Sequence, residues 1–238
     1  MTVGGNESNL TQTAIIGATA VFSSRLVGEF RSSFSRFRNN RVPPSDGFDL
    51  TSIGFPASLA AQQQARAFPR FTFSDVQSVG KLSTSEIRRI TNNWAESGSL
   101  TWMRGSHAIK FGAQFRVQQL NDLQLDDSSG SYSFDTRFTS LDPLRPTSAS
   151  GSSVASFLLG MPSSGSLGIG EKMALEQRYA GFFFHDDWRV TRKLTLNLGL
   201  RYSLEFGPTE RFNRESWFDF DAVPPITQKA GVPAHGAL

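Results

Sequence analysis

Few titratable residues in this chain could act together, and His185-Asp186-Asp187 is the densest group. A histidine beside two carboxylates suits metal ligation or acid–base work. In an extended segment, however, adjacent side chains point to opposite faces, so only His185 and Asp187 converge. A zinc site needs three or four protein ligands, and no third is in view. Asp122, Asp126 and Asp127 lie in NDLQLDDSSG, whose spacing misses the DxDxDG calcium loop and lacks its closing glutamate. They read as the start of a solvated loop. His107 and His235 stand alone, one at a strand end and one in the tail. The serines form no GxSxG elbow and no SxxK in a suitable setting, and the chain has 0 Cys for thiolate chemistry. Gly165, Gly168 and Gly170 sit in a loop rich in Ser and Gly throughout, with no helix and lysine to complete a phosphate cradle. The expectation is therefore no catalytic residue, no metal and no cofactor, and a protein that is not an enzyme.

What the chain does carry is pattern. Hydrophobic residues make up 38% and charged residues 19% of the 238 positions, both below the usual shares of about 45–50% and about 25%. The remainder is Ser, Thr, Asn, Gln and Gly, which suits strands with one polar face and long polar loops. The net charge of +3 comes from scattered Lys and Arg without a basic run, so no nucleic-acid partner is expected. No stretch of about 18 apolar residues exists to make a membrane helix. The opening MTVGGNESNL has neither a basic nor an apolar signal region, so an envelope location would require a further segment upstream.

Turn signals divide the chain into three units, each of two alternating runs joined by a very short connection. The hairpins are expected at about residues 11–38, 92–120 and 177–206, turning at Ser23-Ser24, Arg104-Gly105-Ser106 and Thr191-Arg192. Between them lie loops at about 39–89, 121–175 and 207–238, rich in Pro, Ser, Gly and Asp and far longer than ordinary connections. Within GSSVASFLLGMPSSG, Ser152 or Ser153 is placed to cap a short helix running to Leu159, which packs the loop. One end of the sheet thus has tight turns and the other large loops.

The clearest strand is KLTLNLGLRYSLEF, Lys193 to Phe206. Leu194, Leu196, Leu198, Leu200, Tyr202, Leu204 and Phe206 share one face, and polar residues including Arg201 and Glu205 fill the other. Roughly fourteen residues at about 3.3 Å each span roughly 46 Å, or about 33 Å along a membrane normal when tilted by about 45°. Ile109, Phe111 and Phe115 share a face in a second strand, and Trp94 and Trp102 stand eight residues apart in a third. These residues are expected to face lipid. Trp94, Trp102 and Trp188, expected near strand ends, would form the girdle where amphipathic rings meet headgroups. Asp186 is out of place on the apolar face of its strand, which a bulge near His185 or a rim position would accommodate. A soluble sandwich or curved sheet would bury the same faces, but the Arg, Lys, Gln and Glu opposite them suit a watery lumen.

The segments WAESGSLTWMRGSHAIKFGAQFRVQQ, GSSVASFLLGMPSSG and above all YAGFFFHDDWRVTRKLTLNLGLRYSLEFGPTERFNR resemble TonB-dependent outer-membrane receptors, most closely Oar-like barrels of the acidobacterial type. The resemblance covers roughly residues 9–220. It implies an all-β barrel of antiparallel up-and-down hairpins, about 22 strands around a plug domain, and an N-terminal carboxypeptidase-regulatory-like domain. It also implies nutrient uptake driven through the TonB–ExbB–ExbD complex. The chain departs from that pattern, with no signal peptide, TonB box or plug and only about six strands, fewer than the smallest barrels of about eight. It is therefore expected to be an incomplete barrel domain over residues 1–238, located in the cell outer membrane and not transport-competent alone. Its expected partners are membrane lipid, the remaining barrel strands, a plug if present and a substrate the residues do not identify. TonB contact would come only through such a plug. The alternative is a surface-exposed adhesin or ligand-binding β-sheet protein.

Overall fold

The computed structural model describes residues 2–3, 5–81, 86–145, 150–224, 227, 231 and 236, so His235 lies outside the described residues. Six long strands dominate: β1 (Asn6–Ser23), β2 (Leu26–Val42), β3 (Glu86–Arg104), β4 (His107–Leu125), β5 (Met173–Arg189) and β6 (Thr195–Glu205). They pair consecutively and antiparallel from β1 to β6, an all-β up-and-down sheet, with the short strand Thr209–Glu210 added beside the loop end of β5. The outer edges of β1 and β6 carry no strand among the described residues, so the barrel is not closed.

The strands are longer than their alternation announces. β1 to β5 run 17 to 19 residues, and β1 pairs β2 from Asn6↔Val42 onward. Their loop-side ends mix polar and apolar residues on both faces, as Ile87 and Ile90 do in β3 and Leu120 and Leu123 in β4, so the alternation fades there while the ladder of backbone bonds continues. Asp122, expected at a loop start, accordingly lies on β4. The strand expected from Lys193 to Phe206 is shorter, Thr195–Glu205. The Thr191 N–H donates to the Leu194 carbonyl at 3.1 Å, which closes a wider turn and takes Lys193 and Leu194 out of the strand. Phe206 follows the strand end, though its N–H still reaches the Arg178 carbonyl at 3.0 Å. No bulge relieves Asp186, because the register of β5 with both neighbours is unbroken. The irregularity falls in β1 instead, between Val21 and Ser23.

Two glycines are required where they stand. Gly105, with φ 62° in the two-residue β3–β4 turn, supplies the left-handed conformation such hairpins use. At Gly112 the Phe183 ring crosses the backbone, and a Cβ there would stand 2.8 Å from the ring.

The core lies in the loops. The segment between β2 and β3 contributes Arg70–Phe73, which pairs in parallel with Ser131–Phe134 from the segment between β4 and β5; Ser164–Ser166 completes the small sheet. Helix α1 (Ser153–Leu158) packs Phe157 against Phe71, Phe73 and Phe134 at 5.1–5.5 Å between ring centroids. Its first turn is capped twice, by Ser152 Oγ accepting from the Ala155 N–H and by Asp75 accepting from the Ser153 N–H and hydroxyl.

Candidate functional site: the apolar face of the sheet

Register alone fixes which side chains share a face. From the turn end, successive cross-strand rows read Leu26, Trp102, Ile109, Asp186, Leu198; then Gly28, Leu100, Phe111, Phe184, Leu200; then Phe30, Gly98, Ala113, Phe182, Tyr202. Two further rows follow, Ser32, Glu96, Phe115, Ala180, Leu204 and Phe34, Trp94, Val117, Arg178. The next is wholly polar, Arg36, Asn92, Gln119 and Glu176. The apolar band therefore ends at Trp94. Eight residues separate Trp94 from Trp102, about 26 Å along a strand and about 20 Å along a membrane normal, against a typical band of about 25 Å.

This face has nothing packed on it among the described residues: Leu200 is 74% exposed and Ile16 71%. Leu196, Leu198, Tyr202, Leu204, Phe111 and Phe115 are likewise exposed, as are Leu194 beside the turn and Phe206 beyond the strand. Of the tryptophans, Trp102 and Trp188 stand beside the short turns, as the sequence suggests. Trp94 stands in mid-strand rather than near an end, because β3 continues eight residues past it to Glu86. It marks the edge of the apolar band, not of the strand.

Three polar groups interrupt the band. Glu96 accepts a 2.7 Å hydrogen bond from Ser32 Oγ. Arg178, at the loop-side border, pairs with Glu176. Asp186 meets His107 Nδ1 at 2.7 Å, and the His107 ring stacks on Trp188 at 5.3 Å and 13°. So Asp186 occupies a rim position in the row of Trp102. Sequence reasoning left His107 alone. Its spacing from Ile109 places it on the apolar face, but its partners come from a strand across a long loop.

The opposite face is polar and internally paired. Lys110 bonds Glu29 at 3.2 Å, Arg89 grips Asp122 through two 2.9 Å bonds, and His185 meets Asp187 at 2.8 Å. Arg201 donates to the Tyr179 hydroxyl at 2.8 Å while Arg116 lies 4.2 Å over its ring. Arg89–Asp122 and Arg201–Tyr179 join neighbouring strands, Lys110–Glu29 reaches across β3 from β4 to β2, and His185–Asp187 lies within β5. His185 and Asp187 do converge, and among the described residues no third ligand joins them in a metal-binding group. Asp127 pairs with Arg70 at 2.8 Å, whereas Asp122 on β4 is held by Arg89.

Beyond the band the loop module has its own electrostatics. Lys81 is 2% exposed and donates to Ser128 Oγ at 3.0 Å; burial pushes its ammonium pKa down. Burial raises that of Tyr132 in the aromatic cluster. Asp75 is held low by its bonds from Ser153.

No curated protein matches the chain. The profile of a family described as outer membrane beta barrel domain matches residues 1–237. An unclosed up-and-down sheet with a bilayer-scaled apolar band agrees with that match, and the chain belongs to the outer membrane β-barrel domain family, which places it in the outer membrane.

Proposed function

We propose that the chain forms part of the barrel of a TonB-dependent, Oar-like outer-membrane transporter whose complete form takes up a large nutrient. The apolar face from Leu196 to Leu204, with Ile109, Phe111 and Phe115, meets lipid, and Trp94, Trp102 and Trp188 sit at the two interfaces. Leu194 and Phe206 flank the same face. The role is transport rather than catalysis. A plug domain would fill the lumen and carry the contact with TonB, and the substrate would be met by the plug and by the long loops.

The observation that carries this reading is the pair of open edges on β1 and β6. Unpaired backbone groups in hydrocarbon cost several kcal/mol each, so a sheet of this kind requires further strands. The two edge strands run in opposite directions, which lets more hairpins continue the meander on either side. The resemblance centred on Tyr179 to Phe206 supplies the transporter type.

Two experiments test the proposal. Sequencing the DNA on both sides of the reading frame should find plug and further barrel strands in frame or one frameshift away. Intact unrelated genes on both sides would count against it. Expressed alone, the chain should collect in inclusion bodies or require detergent, whereas a water-soluble, cooperatively folding monomer would sink the lipid-facing assignment.

A further inference from the structure

Among the described residues, paired and unpaired cations both occur at the loop end, where Arg36, Arg38 and Arg211 form no ion pair, whereas every Arg and Lys of the short connections is unpaired. At the loop end Arg41 pairs with Glu7, Arg89 with Asp122 and Arg178 with Glu176. At the turn end Arg25, Arg104, Arg189, Arg192 and Lys193 are all exposed, and none of them forms an ion pair among the described residues. All five belong to the three short connections or the strand residues beside them. The two nearby carboxylates are already engaged, Asp186 by His107 and Asp187 by His185.

These charges also stand at a definite height. Trp102 and Trp188 close the apolar band, and Arg104 stands in the row of Trp188, one row beyond Trp102, with its guanidinium 5.1 Å from the Trp102 ring. The other cations follow within a few residues, a rise of roughly 3–15 Å at about 3.3 Å per extended residue. The headgroup region of a bilayer is about 5–8 Å thick on each side. An exposed row of cations immediately outside an aromatic belt has its complement in a layer of phosphates.

We propose that the turn end binds anionic phospholipid headgroups of the leaflet it borders, with Arg25, Arg104, Arg189, Arg192 and Lys193 engaging their phosphates. The proposal rests on the reading that the apolar face meets lipid. It adds the lipid class and the end of the sheet that selects it. Each basic residue at a membrane surface of this kind contributes roughly fivefold in partitioning, and the effect fades over a Debye length of about 8 Å at physiological salt.

The test uses the full chain, diluted from urea onto vesicles of phosphatidylcholine alone or mixed with phosphatidylglycerol, whose anionic headgroups give the surface a negative potential, and read by flotation. The expected result is partitioning onto both, at least about tenfold stronger on the anionic vesicles in low salt, with the gain abolished near 1 M salt. Replacing Arg25, Arg104, Arg192 and Lys193 with Gln should remove most of the gain and leave phosphatidylcholine binding unchanged. A control replacing the exposed Arg66, Arg137, Arg145 and Arg211 with Gln lowers the net charge equally and should keep it. Binding without an anionic preference, or equal losses in both variants, would overturn the proposal while sparing the lipid-facing assignment. Binding to neither vesicle would overturn both.

Discussion

The sheet and the loop module handle apolar residues in opposite ways. On the sheet, Leu200, Phe111 and Phe182 stand on an open face, and the strands are held by ladder bonds and by side-chain pairs on the polar side. In the module, Leu50 is fully buried and Phe71 is 4% exposed, in segments whose Pro, Ser and Gly content reads as plain loop. Ordinarily the long alternating strands would supply the core and the loops would be solvated. The inversion follows from solvent: a face scaled to hydrocarbon needs no protein over it, whereas loops projecting into water must bury their own aromatics.

The largest expected effect probes the module. Phe71 touches Phe55, Phe68, Tyr132, Phe134 and Phe157, so Phe71→Ala should cost about 3–5 kcal/mol locally. Amide exchange should rise across Arg70–Phe73, Ser131–Phe134 and α1, while protection in the spanning halves of β3 and β4 stays unchanged. Equal loss in the sheet would mean that the two regions share one core.

The next effect probes the sheet. Phe182 lies in the middle row of the apolar band, on an interior strand. Phe182→Arg should lower stability in vesicles by about 2–4 kcal/mol in a urea titration, as expected for a cation near the midplane. Gln114→Arg, on the polar face two strand positions from Gly112, should change it by less than about 0.5 kcal/mol. If the two substitutions proved equally costly, the assignment of faces would be wrong.

How much of this was legible in the sequence depended on contrast. Thr195 to Glu205 announces itself because every second residue is apolar and every other one polar. Asn6 to Asn9 and Asn39 to Arg41, outside the hairpin expected at about 11–38, do not, since both faces are polar and period two leaves no trace; only pairing with a neighbour shows that they are strand. The face of Trp94 was readable and its height was not, because Ile87 and Ile90, on opposite faces, hide the strand's loop-side limit. Helix α1 was legible through Ser152 and Gly160, which mark its two ends. That it packs the loop was legible too, but its partners were not: Phe157 meets Phe71 and Phe134 across segments distant in the chain, and local spacing carries no record of such contacts. Asp186 likewise looked like an error on an apolar face until the β4–β5 register set it beside His107.

A smaller effect tests how the module is pinned. Ser152 caps α1 through the Ala155 N–H, and Ser152→Ala should cost the module about 1 kcal/mol without touching the sheet. Thermal or urea unfolding of the module, followed by exchange at Val154 to Leu158, would register it. A loss spread evenly over both regions would weaken the separation drawn between them.

The smallest effect is a pH dependence confined to the same helix. Asp75 is held below its ordinary value of 3.8 by the Ser153 hydroxyl first and the Ser153 N–H second, so the ionised carboxylate is the form that the folded module favours. Because the folded pKa is depressed, its stabilisation is fully present above 3.8 and is lost as pH falls through the folded value. At neutral pH the contact is therefore complete, and small changes of pH around 7 leave it untouched. Below 3.8, exchange at α1, corrected for its intrinsic acid dependence, should accelerate in the wild type, and Asp75→Asn should already be fast at pH 6 and show no further step. Asp75→Asn should leave exchange in the spanning strands unchanged, because Asp75 bonds only within the module. Parallel acid profiles for the variant and the wild type would remove Asp75 as the pin that ties α1 to the loop between β2 and β3.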